Sequence, residues 1–137
     1  MIITDTGPLV AVANDRDDHH QRCLALLEGH MGPVLVPAPV VVEVCQLLES
    51  RRGSRAEALF LSALGEGELQ VVNLLPVDYV RAAKLVEKYA DLPIGAVDAC
   101  VIAVAERLDV HEIATLDRKH FSVVRPDHIP AFTLLPD

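Results

Sequence analysis

The chain has 137 residues, 51% of them hydrophobic, and a net charge of −8. That length fits one domain burying about two thirds of its unfolded surface, so a core needs neither disulfides nor a structural metal. The charge excludes a protein that grips nucleic acid through a broad basic face, and the longest uncharged run, residues 31–42, is too short and proline-rich for a bilayer span of about 20 residues.

No basic leader precedes Asp5, so a soluble cytoplasmic protein without membrane association is expected. Cys23, Cys45 and Cys100 are odd in number and far apart, which suits buried thiols in a reducing compartment. His19, His20 and Cys23 lack a second ligand pair at zinc-finger spacing.

In chain order, residues 1–4 read as a short apolar strand ending at Asp5, and Gly7-Pro8 predicts a break before a helical turn over 9–13. Asp15 to Asp18 offer caps for a helix that carries Cys23, Leu24 and Leu27 and stops at Gly29. Residues 34–36 form a second strand closed by Pro37. Pro39 opens the next helix, whose apolar face is Val40, Val41, Val44, Leu47 and Leu48. Glu43 interrupts that valine run. Arg51, Arg52 and Arg55 make a basic cluster across a loop, and Ser54 with Glu57 spells a capping box for a helix that ends at Gly65.

Residues 69–74 have the length and β-branching of a third strand, and a helix over 78–90 places Tyr79, Ala83, Val86 and Ala90 on one side. Val97, Cys100, Val101, Val104, Ala105 and Leu108 recur at helical spacing, with Asp98 off that stripe in the first turn. A carboxylate there is favoured by the helix dipole whatever else it does. Residues 112–116 predict a buried strand that ends in Asp117, and residues 132–135 a last one. Strands alternating with helices predict an α/β fold: a single domain over residues 1–137, with a central parallel sheet of four to five short strands, helices on both faces and right-handed crossovers.

In such a sheet Asp5 and Asp117 end on one edge, and the helices bearing Glu43 and Asp98 start from it. Two carboxylates about 4 Å apart repel by about 4 kcal/mol at an effective dielectric of 20, so four converging acids call for a divalent cation. Hard oxygen donors favour Mg²⁺ or Mn²⁺, which activates a water and neutralises charge on a phosphodiester. Thr6 and Thr115 add hydroxyls beside the acids. Arg118 and Lys119, with the 51–55 arginines, are candidate phosphate contacts.

Asp5-Thr6 in a first strand, Glu43 in a helix after a proline-closed strand, Asp98-Ala99 opening a helix, and Thr115-Leu116-Asp117 followed by His120-Phe121 resemble the PIN-domain family, within it the VapC-type ribonuclease toxins. The resemblance covers essentially the whole chain. It implies a PIN fold and a Mg²⁺- or Mn²⁺-dependent endoribonuclease toxin that acts on RNA as a homodimer, held in check by a VapB-type antitoxin. It also implies Asp5, Glu43, Asp98 and Asp117 as the catalytic and metal-binding quartet, with Thr6 and Thr115 in support.

Other readings compete. The chain could be a PIN-like RNA-processing nuclease without an antitoxin, or a non-catalytic scaffold whose acids bind metal or a partner. Asp5-Thr6-Gly7 is also the aspartic-protease tripeptide, but most of the sequence reads as helix, against a strand-rich protease. A phospho-accepting receiver module would gather aspartates around Mg²⁺ too, yet it leaves Glu43 without a role.

Overall fold

A computed structural model describes residues 1–137. Strand β1 (Ile2–Thr4) leads into α1 (Thr6–Ala13), then α2 (His20–Gly29), β2 (Val34–Pro37), α3 (Ala38–Arg52), α4 (Ser54–Gly65) and β3 (Gln70–Val72). The chain continues through α5 (Pro76–Lys88), α6 (Ala96–Leu108), β4 (Glu112–Ala114), α7 (Arg118–Val123) and β5 (Thr133–Leu135). The five strands make one sheet in the order β3-β2-β1-β4-β5. Every pairing is parallel, and Ile3 sits between Leu35 and Ile113 in register.

The connectivity sets where a site can lie. From β1 the chain steps outward to β2 and β3, then returns past β1 to β4 and continues to β5. Adjacent strands β1 and β4 therefore send their onward connections in opposite directions. Right-handed crossovers carry α1 to α4 over one face and α5 to α7 over the other, which opens a crevice beyond the carboxyl ends of β1 and β4.

The core is built on fully buried Ile2, Ile3, Val36 and Ile113 of the sheet, with Val40, Val44 and Leu48 of α3 and Leu85 of α5. Helix α6 is its centre. Residues Ala99 through Ala105 are all buried, so the apolar surface wraps the whole helix instead of forming the stripe expected of a one-sided one.

Several local expectations differ from the structure. Gly7 and Pro8 do not break the chain; they lie in the first turn of α1, where a missing N–H costs nothing. The Ser54–Glu57 capping box does not form: Gly53, at φ 86°, caps α4, and the Glu57 N–H bonds the Gly53 carbonyl. Helix α5 turns a different side inward, burying Asp78, Ala82 and Leu85 and leaving Tyr79 and Val86 in solvent. The cause is polar. Asp78 Oδ2 accepts the Leu75 N–H at 2.9 Å, and its carboxylate pairs with Arg107 Nε at 3.0 Å, which fixes the helix one residue away from the purely apolar reading. Strands β3 and β4 are shorter than expected, so Asp117 stands three residues beyond β4, in the turn that starts α7.

Candidate active site

Asp5 follows β1 and is the N-terminal cap residue of α1. Its backbone N–H donates to the Ala114 carbonyl at 2.8 Å, which fastens it to the end of β4. The side chain is nearly enclosed, at 6% exposure. Thr115 Oγ1 donates to Asp5 Oδ2 at 3.1 Å and accepts the Asp117 N–H at 2.9 Å, so one hydroxyl links the acids that follow the two central strands. The start of α1 lies against the same turn. A Cβ added to Gly7 would stand 3.2 Å from the Leu116 side chain.

Asp98 is in the first turn of α6 and half-buried, and Asp117 caps α7 by accepting the His120 N–H at 3.3 Å. His120 Nδ1 lies 3.1 Å from Asp98 Oδ2 and 3.0 Å from Asp117 Oδ2. The imidazole thus sits between two carboxylates, and ligand atoms of all three residues lie within 4.8 Å of one another.

The electrostatics tie in the other acids. Burial pushes the Asp5 carboxyl up from 3.8 to about 7, with Asp98 and Glu43 adding to the rise and the Thr6 N–H and Thr115 hydroxyl opposing it. Burial also raises Asp98; Asp117 and Glu43 push the same way, and the His120 hydrogen bond works against them. Glu43, in the second turn of α3, is therefore within electrostatic reach of both aspartates. Asp5, Asp98 and Asp117 thus gather beyond the carboxyl ends of β1 and β4, and α3 brings Glu43 within electrostatic reach of the first two.

The remaining expected residues divide. Thr6 is buried beside Asp5 with its Oγ1 lacking any hydrogen-bond partner, whereas Thr115 is fully engaged. Lys119 is exposed on α7, next to the crevice. Arg118 Nη1 donates to the carbonyls of Leu134 at 3.3 Å and Pro136 at 3.1 Å, and so pins the C-terminal strand. Arg51 and Arg52 fall at the far end of α3, roughly 12 Å along its axis from Glu43 at 1.5 Å per residue, and Arg52 lies 3.8 Å from Asp15. His120, which belongs to the motif that carries the PIN resemblance, is an addition to the all-oxygen ligand set expected from the sequence. The signal available was its i,i+3 spacing from Asp117, which brings the ring back over the carboxylate once α7 forms.

The residues fit a divalent cation. A carboxyl held protonated to about pH 7 by burial and neighbouring acids, together with an unpartnered buried hydroxyl, is what a charge-deficient pocket of hard donors shows. Asp98, Asp117 and His120 are the side chains grouped closely enough to hold an ion, and Asp5 and Glu43 are the further oxygen donors within electrostatic reach of Asp98.

Known proteins agree with this architecture. The pattern of the PIN domain matches residues 2–125. Ribonuclease VapC26 of Mycobacterium tuberculosis is 33% identical over 135 residues, covering 98% of this chain and 100% of the relative. The crystal structure of Mycobacterium tuberculosis VapC20, a sarcin–ricin loop cleaving toxin, superposes with a TM-score of 0.78 at 20% identity, over 82% of this chain and 87% of that one. VapBC2 of Rickettsia felis, bound to a DNA fragment from its promoter, gives a TM-score of 0.68 at 18% identity, over 98% and 97%. At those identities the two structures speak for the fold, while the near-complete sequence match carries the kinship: this chain belongs to the PIN-domain family.

Proposed function

We propose that this chain is a VapC-type endoribonuclease, the toxin of a toxin–antitoxin pair, cutting RNA phosphodiester bonds with Mg²⁺ or Mn²⁺ in a single cytoplasmic PIN domain. What supports the proposal is the mutual electrostatic influence of Asp5, Glu43, Asp98 and Asp117 in a chain 33% identical to a ribonuclease VapC. A bound cation supplies water activation and neutralises charge on the phosphodiester. The protein's own groups do the rest. Asp5 is held in one orientation by Thr115 and gives up its proton when the crevice gains positive charge. Asp98 and Asp117 share the His120 N–H, which keeps both carboxylates facing the same point. Lys119 stands exposed at the rim as a contact for an incoming phosphate, and Arg118 acts there only if it leaves its carbonyl partners.

Two surface features support the partners. A groove of about 740 Å³ between α1, α2 and α4, lined by Leu9, Leu24, Leu27, Leu59 and Phe60, offers an apolar seat for a segment of a VapB-type antitoxin. Val77, Tyr79 and Val80 give α5 an exposed apolar side suited to homodimer formation.

Incubation of mixed RNA with the purified protein and Mn²⁺ or Mg²⁺ tests the activity. Cleavage is expected for wild type, abolished by chelator, and reduced by about 100-fold or more in Asp5→Asn and Asp98→Asn, the scale on which loss of electrostatic catalytic groups acts. Equal cleavage by wild type and both variants would sink the reading.

A further inference from the structure

We propose that Asp109, His111 and His128 form a second metal site, for a zinc-like divalent ion, at the end of the sheet opposite the carboxylate crevice. Asp109 caps the C-terminus of α6, His111 directly precedes β4, and His128 lies on the segment leading to β5. One carboxylate oxygen and one nitrogen from each ring lie within 4.8 Å of one another. None of these groups belongs to the acidic quartet, and the start of β4 is the edge farthest from Asp117 along that strand.

His128 anchors the cluster. Its Nε2 lies 2.8 Å from the Val110 carbonyl oxygen, an acceptor only, which keeps the proton on Nε2 and the lone pair on Nδ1. That Nδ1 is buried and has no hydrogen-bond partner. A ring N–H donated to a backbone carbonyl, with the second nitrogen left bare, is how proteins orient a metal-ligating histidine. The other two side chains are free to adjust. Asp109 is 76% and His111 56% exposed, and His111 Nε2 already lies 2.9 Å from Asp109 Oδ1.

Ligand atoms on bonds of about 2.0–2.1 Å around a tetrahedral zinc stand roughly 3.3 Å apart, so small rotamer changes in two exposed residues close the cluster. Asp109 also holds a left-handed backbone, φ 54°, at a position where glycine is the usual choice; the carboxylate is what its presence adds there. Two imidazoles and one carboxylate suit Zn²⁺ or Co²⁺ and not Mg²⁺, and the exposure of Asp109 leaves a fourth position to water. A bound ion would tie the turn between α6 and β4 to the segment before β5, clamping the edge strand of the sheet.

Co²⁺ titration of the full chain in excess Mg²⁺, read by visible absorption, tests the site. One equivalent is expected to bind with the intense bands of four-coordinate Co²⁺, bleached by Zn²⁺. Asp109→Asn, which tolerates the left-handed backbone, and His111→Gln, which lies on the surface, should each weaken binding by more than about tenfold, the least that loss of even an outer partner costs. His120→Gln, in the carboxylate crevice, should leave the spectrum intact. Absence of Co²⁺ uptake in excess Mg²⁺, wild-type affinity in both Asp109→Asn and His111→Gln, or loss of the spectrum with His120→Gln would each overturn the proposal.

Discussion

Asp5 binds its proton far more tightly in the fold than in the unfolded chain, because burial removes the water that would solvate its charge and Asp98 and Glu43 repel it. Its folded value of about 7 stands above the ordinary 3.8, so its share of stability is fully present below pH 3.8 and is lost as pH rises through 7. The loss is on the order of 4 kcal/mol. Metal-free protein in chelator should therefore melt at a lower temperature at pH 8 than at pH 5, and Asp5→Asn should flatten that slope. Millimolar Mg²⁺ at pH 8 should restore stability to wild type by mass action, about 2.7 kcal/mol at a hundred times the dissociation constant, and do far less for Asp5→Asn. A wild-type melting temperature indifferent to pH and to metal would mean that the carboxylates do not sense one another. Asp5, Asp98 and Asp117 could be picked out in the sequence because each sits where a strand ends or a helix begins, and Glu43 because it interrupts a valine run. His120 showed there only as the i,i+3 neighbour of Asp117, since its ring reaches Asp98 only after the short α7 folds it back over Asp117.

At the scale of elements, the alternation of short β-branched runs with amphipathic stretches was enough to read a parallel sheet of four to five strands, of which the structure has five, because most strands are bounded by proline or a charged residue. The orientation of α5 was not legible. Its inward side carries a carboxylate, and a hydrophobic pattern assigns charged positions to solvent. Asp78, with a side chain only 2% exposed, is tolerated because Arg107 of α6 and the Leu75 N–H satisfy its oxygens. The neighbouring pair of Arg81 and Glu106, at 2.7 Å, makes a second polar tie between the same two helices. Arg107→Leu would leave Asp78 buried without its counter-charge, and breaking such a pair from one side costs about 3–5 kcal/mol. Arg107 is itself 26% exposed, so the lower end is expected: roughly 3 kcal/mol by urea denaturation, with kcat unchanged at temperatures where the variant is folded. The double change Asp78→Leu with Arg107→Leu should recover most of that loss. If the single variant were as stable as wild type, the ion pair would not be what sets the helix rotation.

For the molecule as a whole the open question is how a chain of net charge −8 holds RNA, a polyanion. A broad basic face would engage many phosphates and make affinity collapse with salt; here the cations near the crevice are Lys119 and the carbonyl-bound Arg118, while Arg51 and Arg52 lie at the other end of α3. With one or two phosphate contacts, the slope of log affinity against log salt on a single strand should be about −0.7 to −1.4. Raising salt from about 50 to 200 mM should then raise KM by less than about tenfold, against losses of about 10³ or more for proteins that grip six to ten phosphates. Lys119→Ala should lift KM, leave kcat near wild type and make the slope shallower by about 0.7, because its contact positions the phosphate without entering the chemistry. On so acidic a surface, recognition then falls to the divalent cation proposed for the carboxylates and to the shape of the RNA around it. Initial rates at four salt concentrations with fixed Mg²⁺ decide the matter: a slope steeper than about −3 would mean that the arginines of the 51–55 segment, remote from Glu43, carry the RNA after all.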